Sequence, residues 1–142
     1  KMNADLSGWS VGKVISLQET FNGASKFVGT GLDSWDTASV TSLSHTFVEA
    51  SGMNADLSKW SVAKVTSLRD TFRDASKFAG VGLDSWDISK VNDMLATFTS
   101  TTSLTPCSKR KIADAWKSNS VFSSWNTAWA GETCSKVRED VV

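Results

Sequence analysis

The sequence predicts a repeat solenoid of the α/β type: coils of one short strand and one short helix, closed by a helical, disulfide-bridged C-terminal cap. Three observations predict it. Residues 2–25 (MNADLSGWSVGKVISLQETFNGAS) return almost unchanged as residues 53–76 (MNADLSKWSVAKVTSLRDTFRDAS). Two looser copies, at 32–50 and 83–98, lie between and after them, so matched positions step by 26, 25 and 26 residues. Such a step is the mark of supersecondary units stacked in one dimension. Finally, the repeat stops at Thr105-Pro106, and the remainder is rich in aromatic residues and holds both cysteines. Four repeats of 25–26 residues thus fill residues 1–104, the first incomplete, and the cap takes 105–142.

Aligning the copies gives the core ladder: Leu6, Leu32, Leu57 and Leu83; Trp9, Trp35, Trp60 and Trp86; Phe21, Phe47, Phe72 and Phe98. Val14, Val40, Val65 and Val91 form a further row, as do Leu17, Leu43, Leu68 and Met94. Within a unit, residues 3–9 are short and bounded by polar residues and glycine, which suits an extended run. Val14, Leu17, Phe21 and Ala24 then fall at i, i+3, i+7 and i+10, the stripe of a short amphipathic helix. Thr41, Thr66 and Asn92 stand where N-caps would stand. One coil alone would not offset its ordering entropy of ~1–2 kcal/mol per residue, but stacked neighbours can. The first unit begins mid-repeat, without a polar terminal cap, which predicts either further repeats upstream or packing against another chain.

In the tail, Lys109 to Ser118 reads as a helix with Ile112 and Trp116 on one face, and Phe122 and Trp129 continue the aromatic content. Cys107 and Cys134 bracket this segment. Two readings stand: a disulfide closing the cap, worth roughly 3–4 kcal/mol for a loop of this length, or two free buried thiols. The first points to an oxidising compartment.

Composition excludes several functions. A net charge of zero with no basic run leaves no footprint for nucleic-acid binding. No apolar run approaches the ~18 residues of a membrane span. His45, the lone histidine, sits at a position that carries Glu19, Asp70 and Ala96 in the other units, so no nucleophile–base–orienter set assembles. No cofactor is expected. Asp33, Asp36, Asp84 and Asp87 flank Trp35 and Trp86 and form weak calcium candidates, against the simpler reading that they hold turns. Thr20, Thr46, Thr71 and Thr97 make a hydroxyl row that raises ice binding, against a bond to the carbonyl one turn back. The variable outward positions Gln18, Glu19, Asn22, His45, Arg69, Asp70 and Arg73 are the candidate interaction face. With no N-x-Ser/Thr sequence, any glycan would be O-linked.

The unit L-S-x-W-x-V-x-x-V-x-S-L-x-x-T-F-x-x-A resembles the repeat of BspA-like surface proteins, a divergent leucine-rich-repeat group. Trp35-Asp36 and Trp86-Asp87 keep that group's W-D pair; Trp9-Ser10 and Trp60-Ser61 depart from it, and threonine replaces its usual methionine before phenylalanine. The resemblance covers residues 2 to about 104. It implies leucine-rich-repeat-like coils and an extracellular or cell-surface interaction module without catalysis. The expected function is therefore a non-catalytic structural or interaction protein, meeting protein partners or its own copies through its ends and faces. The alternatives are a glycan- or calcium-binding surface module, supported if Trp35 and Trp86 are exposed, and an accessory subunit in an oxidising lumen.

Overall fold

A computed structural model of the chain describes residues 3–125 and 128–134; the predicted tail beyond 134 lies outside them. Four coils, 3–27, 28–52, 53–78 and 79–104, stack face to face. The strand-plus-helix coil is not what the sequence builds. Among the described residues the coils contain no named strand and no α-helix, only 3-10 turns at Leu32–Ser34 and Leu83–Ser85. Neighbouring coils meet through single parallel bridges, Ser16 to Ser42, Ser42 to Ser67 and Ser67 to Asp93. A leucine-rich-repeat solenoid with a sheet on one side is therefore not the architecture.

The reason lies in where the backbone N–H groups go. Val14, Thr20, Ala24 and Phe27 each donate to the carbonyl three residues back, at Val11, Leu17, Phe21 and Ala24, closing successive tight turns. Between them, Leu17, Glu19, Phe21 and Gly23 donate to Ser42, Ser44, Thr46 and Val48 of the next coil. An α-helix would need those same donors for carbonyls four residues back. Turns of three or four residues reproduce the apolar spacing of a helix, so the pattern alone does not separate the two. Thr41, Thr66 and Asn92 cap nothing: their N–H groups donate to Ile15, Thr41 and Thr66, one coil back.

The core runs through the stack. Trp35, Trp60 and Trp86, every ladder leucine, and Phe21, Phe47 and Phe72 are buried, with Phe98 partly so. Phe21, Phe47, Phe72 and Phe98 stack with centroids 5.5, 5.7 and 5.8 Å apart, in the preferred range for aromatic pairs. Each buried indole Nε1–H is satisfied by a leucine carbonyl of the coil before it: Trp35 donates to Leu6 at 3.0 Å, Trp60 to Leu32 at 2.7 Å and Trp86 to Leu57 at 2.9 Å.

After coil 4 the chain changes register. Thr105 caps helix α1 (Pro106–Trp116) by accepting the Ser108 N–H, with Pro106 at the first turn, where its missing N–H costs nothing. α1 brings Trp116 under Trp86, centroids 6.4 Å apart, and its indole donates to Leu83 at 3.0 Å. Trp116 thus takes the place a fifth coil's tryptophan would hold. Helix α2 (Ser120–Trp125) follows; Asn119 ahead of it donates to the Ile88 and Val91 carbonyls and accepts the Phe122 N–H. A disulfide joins Cys107 to Cys134.

Truncating one rung tests this core. Trp60→Ala is expected to cost about 3–5 kcal/mol by chemical denaturation; an unchanged midpoint would mean the ladder does not hold the stack.

Candidate interaction surfaces

The turn edge carries most of the outward candidates, and its backbone is unusual. Seven non-glycine residues of the described chain have positive φ: Glu19, His45, Asp70 and Ala96 in one row, Glu49, Asp74 and Ser100 in another. Gly23 fills the second row in coil 1. The left-handed conformation reverses the chain after each tight turn, which lets alternate N–H groups point to the next coil. It costs an L-residue roughly 1–2 kcal/mol relative to the right-handed region, less for Asp and His.

The side chains on this edge pair across coils. The His45 Nε2–H donates to Asp70 at 3.0 Å, Arg73 reaches Asp70 and Asp74 at 3.5 Å, and Arg69 reaches Asp93 at 3.4 Å. Asp70 is buried between its partners, and His45 Nδ1 is buried with no partner among the described residues. Gln18, Glu19 and Asn22 stand exposed. The arrangement brings His45, Asp70 and Arg73 together but leaves Gln18 and Asn22 apart from them. The exposed pairs Arg69–Asp93 and Arg73–Asp74 contribute about 0–1 kcal/mol each; they organise the edge more than they hold the fold.

The remaining candidates are structural. Trp35 and Trp86 are buried, so neither offers a flat platform to a sugar ring. Asp36 and Asp87 accept the N–H groups of Ala38 and Ser89, while Asp33 and Asp84 lie in the 3-10 turns. Among the described residues no three of His, Cys, Asp and Glu come together as metal ligands. Thr46, Thr71 and Thr97 are fully buried and donate to Leu17, Leu43 and Leu68 of the preceding coil, so these three do not face outward; Thr20 is exposed and bonds the Leu17 carbonyl of its own coil.

Both ends of the stack carry grooves. At the C-terminal end one of about 440 Å3 is walled by Met94, Phe98 and Trp129. At the N-terminal end one of about 450 Å3 is lined by Trp9, Val11, Val14, Leu17, Thr20 and Trp35. Trp9, expected in the core, is 57% exposed, because no earlier coil among the described residues covers it. Of the four aligned tryptophans, only the three with a coil on both sides, or a coil and the cap, are buried.

Asp5 and Asp56 accept the backbone N–H groups of Ser7 and Ser58 at 2.9 Å, which holds both carboxyls below their ordinary value. Hydrogen bonds from the Ser89 side chain and N–H do the same for Asp87. A carboxyl whose folded pKa is depressed stabilises fully above its unfolded value of about 3.9 and loses that contribution as pH falls through the folded value. Stability is thus expected to be flat near neutrality and to fall below roughly pH 4. Substituting all three by Asn should shallow that fall in pH-dependent melting; an unchanged slope would contradict the turn assignment.

A family model described as a Mycoplasma protein of unknown function, DUF285, matches residues 1–116. No curated protein and no solved structure matches the chain.

Proposed function

Taking as premise that the chain belongs to the DUF285 family, we propose that it is a non-catalytic structural and interaction protein of the cell surface or extracellular space. It presents the turn edge of its coils to protein partners. The observation that carries this reading is the row of side chains kept at left-handed positions. Glycine adopts that conformation freely, and Gly23 shows that the fold accepts glycine in the second row. Glu19, Glu49 and Ala96 nonetheless retain a Cβ at a conformational cost. Backbone strain held at exposed positions points to a use for the side chains it displays.

The disulfide between Cys107 and Cys134 supports an oxidising compartment. The likeness of the repeats to BspA-like surface proteins supports the same address. Inside the stack, the repeated hydroxyls and indoles are spent on coil-to-coil bonds, which leaves recognition to the edge.

Because glycine relieves the strain, it makes a test that does not confuse binding with unfolding. A chain carrying Glu19→Gly, Glu49→Gly and Ser100→Gly, all exposed left-handed positions, should melt no lower than the parent, each change being worth about 0 to +1 kcal/mol. Beads coated with parent or variant are then compared for adhesion to a panel of extracellular-matrix proteins and cell surfaces. Adhesion by the parent that the glycine chain loses supports the reading. Equal behaviour of the two overturns it.

A further inference from the structure

Buried backbone groups in a folded chain find partners, and in the turn segment of coil 4 one set does not. The carbonyls of Asp93, Leu95, Thr97 and Thr99 accept N–H groups of coil 3, from Leu68, Asp70, Phe72 and Asp74. Those of Met94, Ala96 and Phe98 accept the N–H groups of Thr97, Thr99 and Thr101 in their own turns. The Leu95 N–H donates to the Asp93 carboxylate at 3.2 Å. What remains is the N–H groups of Met94, Ala96, Phe98 and Ser100, none of which has an acceptor among the described residues. Their counterparts one coil earlier, at Leu68, Asp70, Phe72 and Asp74, all donate away from their own coil, so these four are aimed off the stack. The chain does not stop there. It runs on into α1 and α2, which close the tryptophan side of coil 4 and leave this side as the groove of about 440 Å3 under Trp129. Leu95 stands 58% exposed on its rim, and Phe98 and Trp129 are half-buried in its wall.

We propose that this groove docks a proline-rich segment of a partner protein, its carbonyls accepting from the row at 94–100 and its rings packed under Trp129. The row sets the chemistry, because it holds donors and no free acceptor. An ordinary strand alternates N–H and C=O along its edge, so it would bring N–H groups against N–H groups and bury some of them unpaired, which is costly. Proline has a carbonyl and no N–H. A proline tract is also extended and ordered before it binds, with no internal hydrogen bonds to break, and such tracts dock in aromatic-lined grooves. Met94, Leu95, Phe98 and Trp129 supply the apolar and aromatic lining. An anionic ligand would satisfy the donors, but it would lose its hydration against those walls. The chain's single proline, Pro106, is held at the start of α1, so the segment comes from another protein.

The test titrates the isotope-labelled full chain with three end-blocked peptides of equal length: an oligoproline, an alanine–serine peptide and an oligoglutamate. Amide shifts and hydrogen exchange are read by NMR at Met94, Ala96, Phe98 and Ser100, with the Trp129 indole as a reporter on the wall. The proposal expects the oligoproline to shift these signals and to slow exchange among the four amides by roughly tenfold near saturation, with the other two peptides far weaker. Trp129→Ala should weaken oligoproline binding by roughly tenfold or more. Leu95→Ser, at an exposed rim position that leaves the core intact, should weaken it several-fold with the amide spectrum of the stack unchanged. No shift with oligoproline overturns the proposal. So does equal binding of the alanine–serine peptide, which would mean that any extended backbone fits, and so does tighter binding of the oligoglutamate, which would make the row an anion site. Slow exchange at the four amides without peptide also overturns it. If that protection grows with concentration the occupant is a second copy; if it is lost in a chain ending at Cys134, the occupant is the chain's own residues.

Discussion

A tryptophan indole bonded to the leucine carbonyl of the coil before it is the interaction on which the rest of the stack depends. In each coil the Leu-x-x-Trp segment closes a turn, the tryptophan backbone N–H donating to the leucine carbonyl of its own coil: Trp9 to Leu6, Trp35 to Leu32, Trp60 to Leu57, Trp86 to Leu83. The next tryptophan's indole then fills the second lone pair of that carbonyl. A buried carbonyl and a buried indole would each cost free energy if left unpaired, and this geometry satisfies both at once. It also fixes the pitch, because an indole reaches the carbonyl only when its coil lies one step away. The cap obeys the same rule: Trp116 comes from a helix rather than a coil, and it donates to Leu83 like any other rung.

From that rung the other properties follow. Coils meet only their neighbours, so the backbone ladder has a direction: carbonyls of the 16–22 segment face one way and N–H groups the other. At the far end Met94, Ala96, Phe98 and Ser100 show no backbone acceptor among the described residues. The cap closes the tryptophan side of coil 4, while the turn side is covered in part by Trp129, whose ring lies 5.1 Å from that of Phe98. The two ends of the stack are therefore chemically different. The edge between them is set by the left-handed residues that alternate donors require, and there the side chains are free to vary.

Much of this was legible in the sequence, and the rest was hidden for reasons that differ from residue to residue. The step of 26, 25 and 26 residues identifies which leucines, tryptophans and phenylalanines stack, and the cysteine pair marks the closure of the cap. Threonine bonding to the carbonyl one turn back is also seen, at Leu43 for Thr46 and Met94 for Thr97. What misled was the spacing of Val14, Leu17, Phe21 and Ala24, which turns and helices share. Glycine would have signalled the left-handed positions, but Glu, His, Asp, Ala and Ser occupy them. Asn119 gave no signal in advance, since a single amide's three bonds to coil 4 and α2 depend on a helix docked across more than twenty-five residues of chain.

The most direct measurement of the account is hydrogen exchange at the tryptophan indole N–H groups of the unmodified chain, resolved one by one by NMR. Trp35, Trp60, Trp86 and Trp116 each hold a carbonyl of the coil before them and should exchange slowly, at rates set by opening of the stack. Trp9, half exposed and without that partner, should exchange fast. Slow exchange at the four and fast exchange at Trp9 is the predicted result. Trp60 or Trp116 exchanging as fast as Trp9 would contradict the claim that a repeated indole–carbonyl rung holds the coils and the cap together.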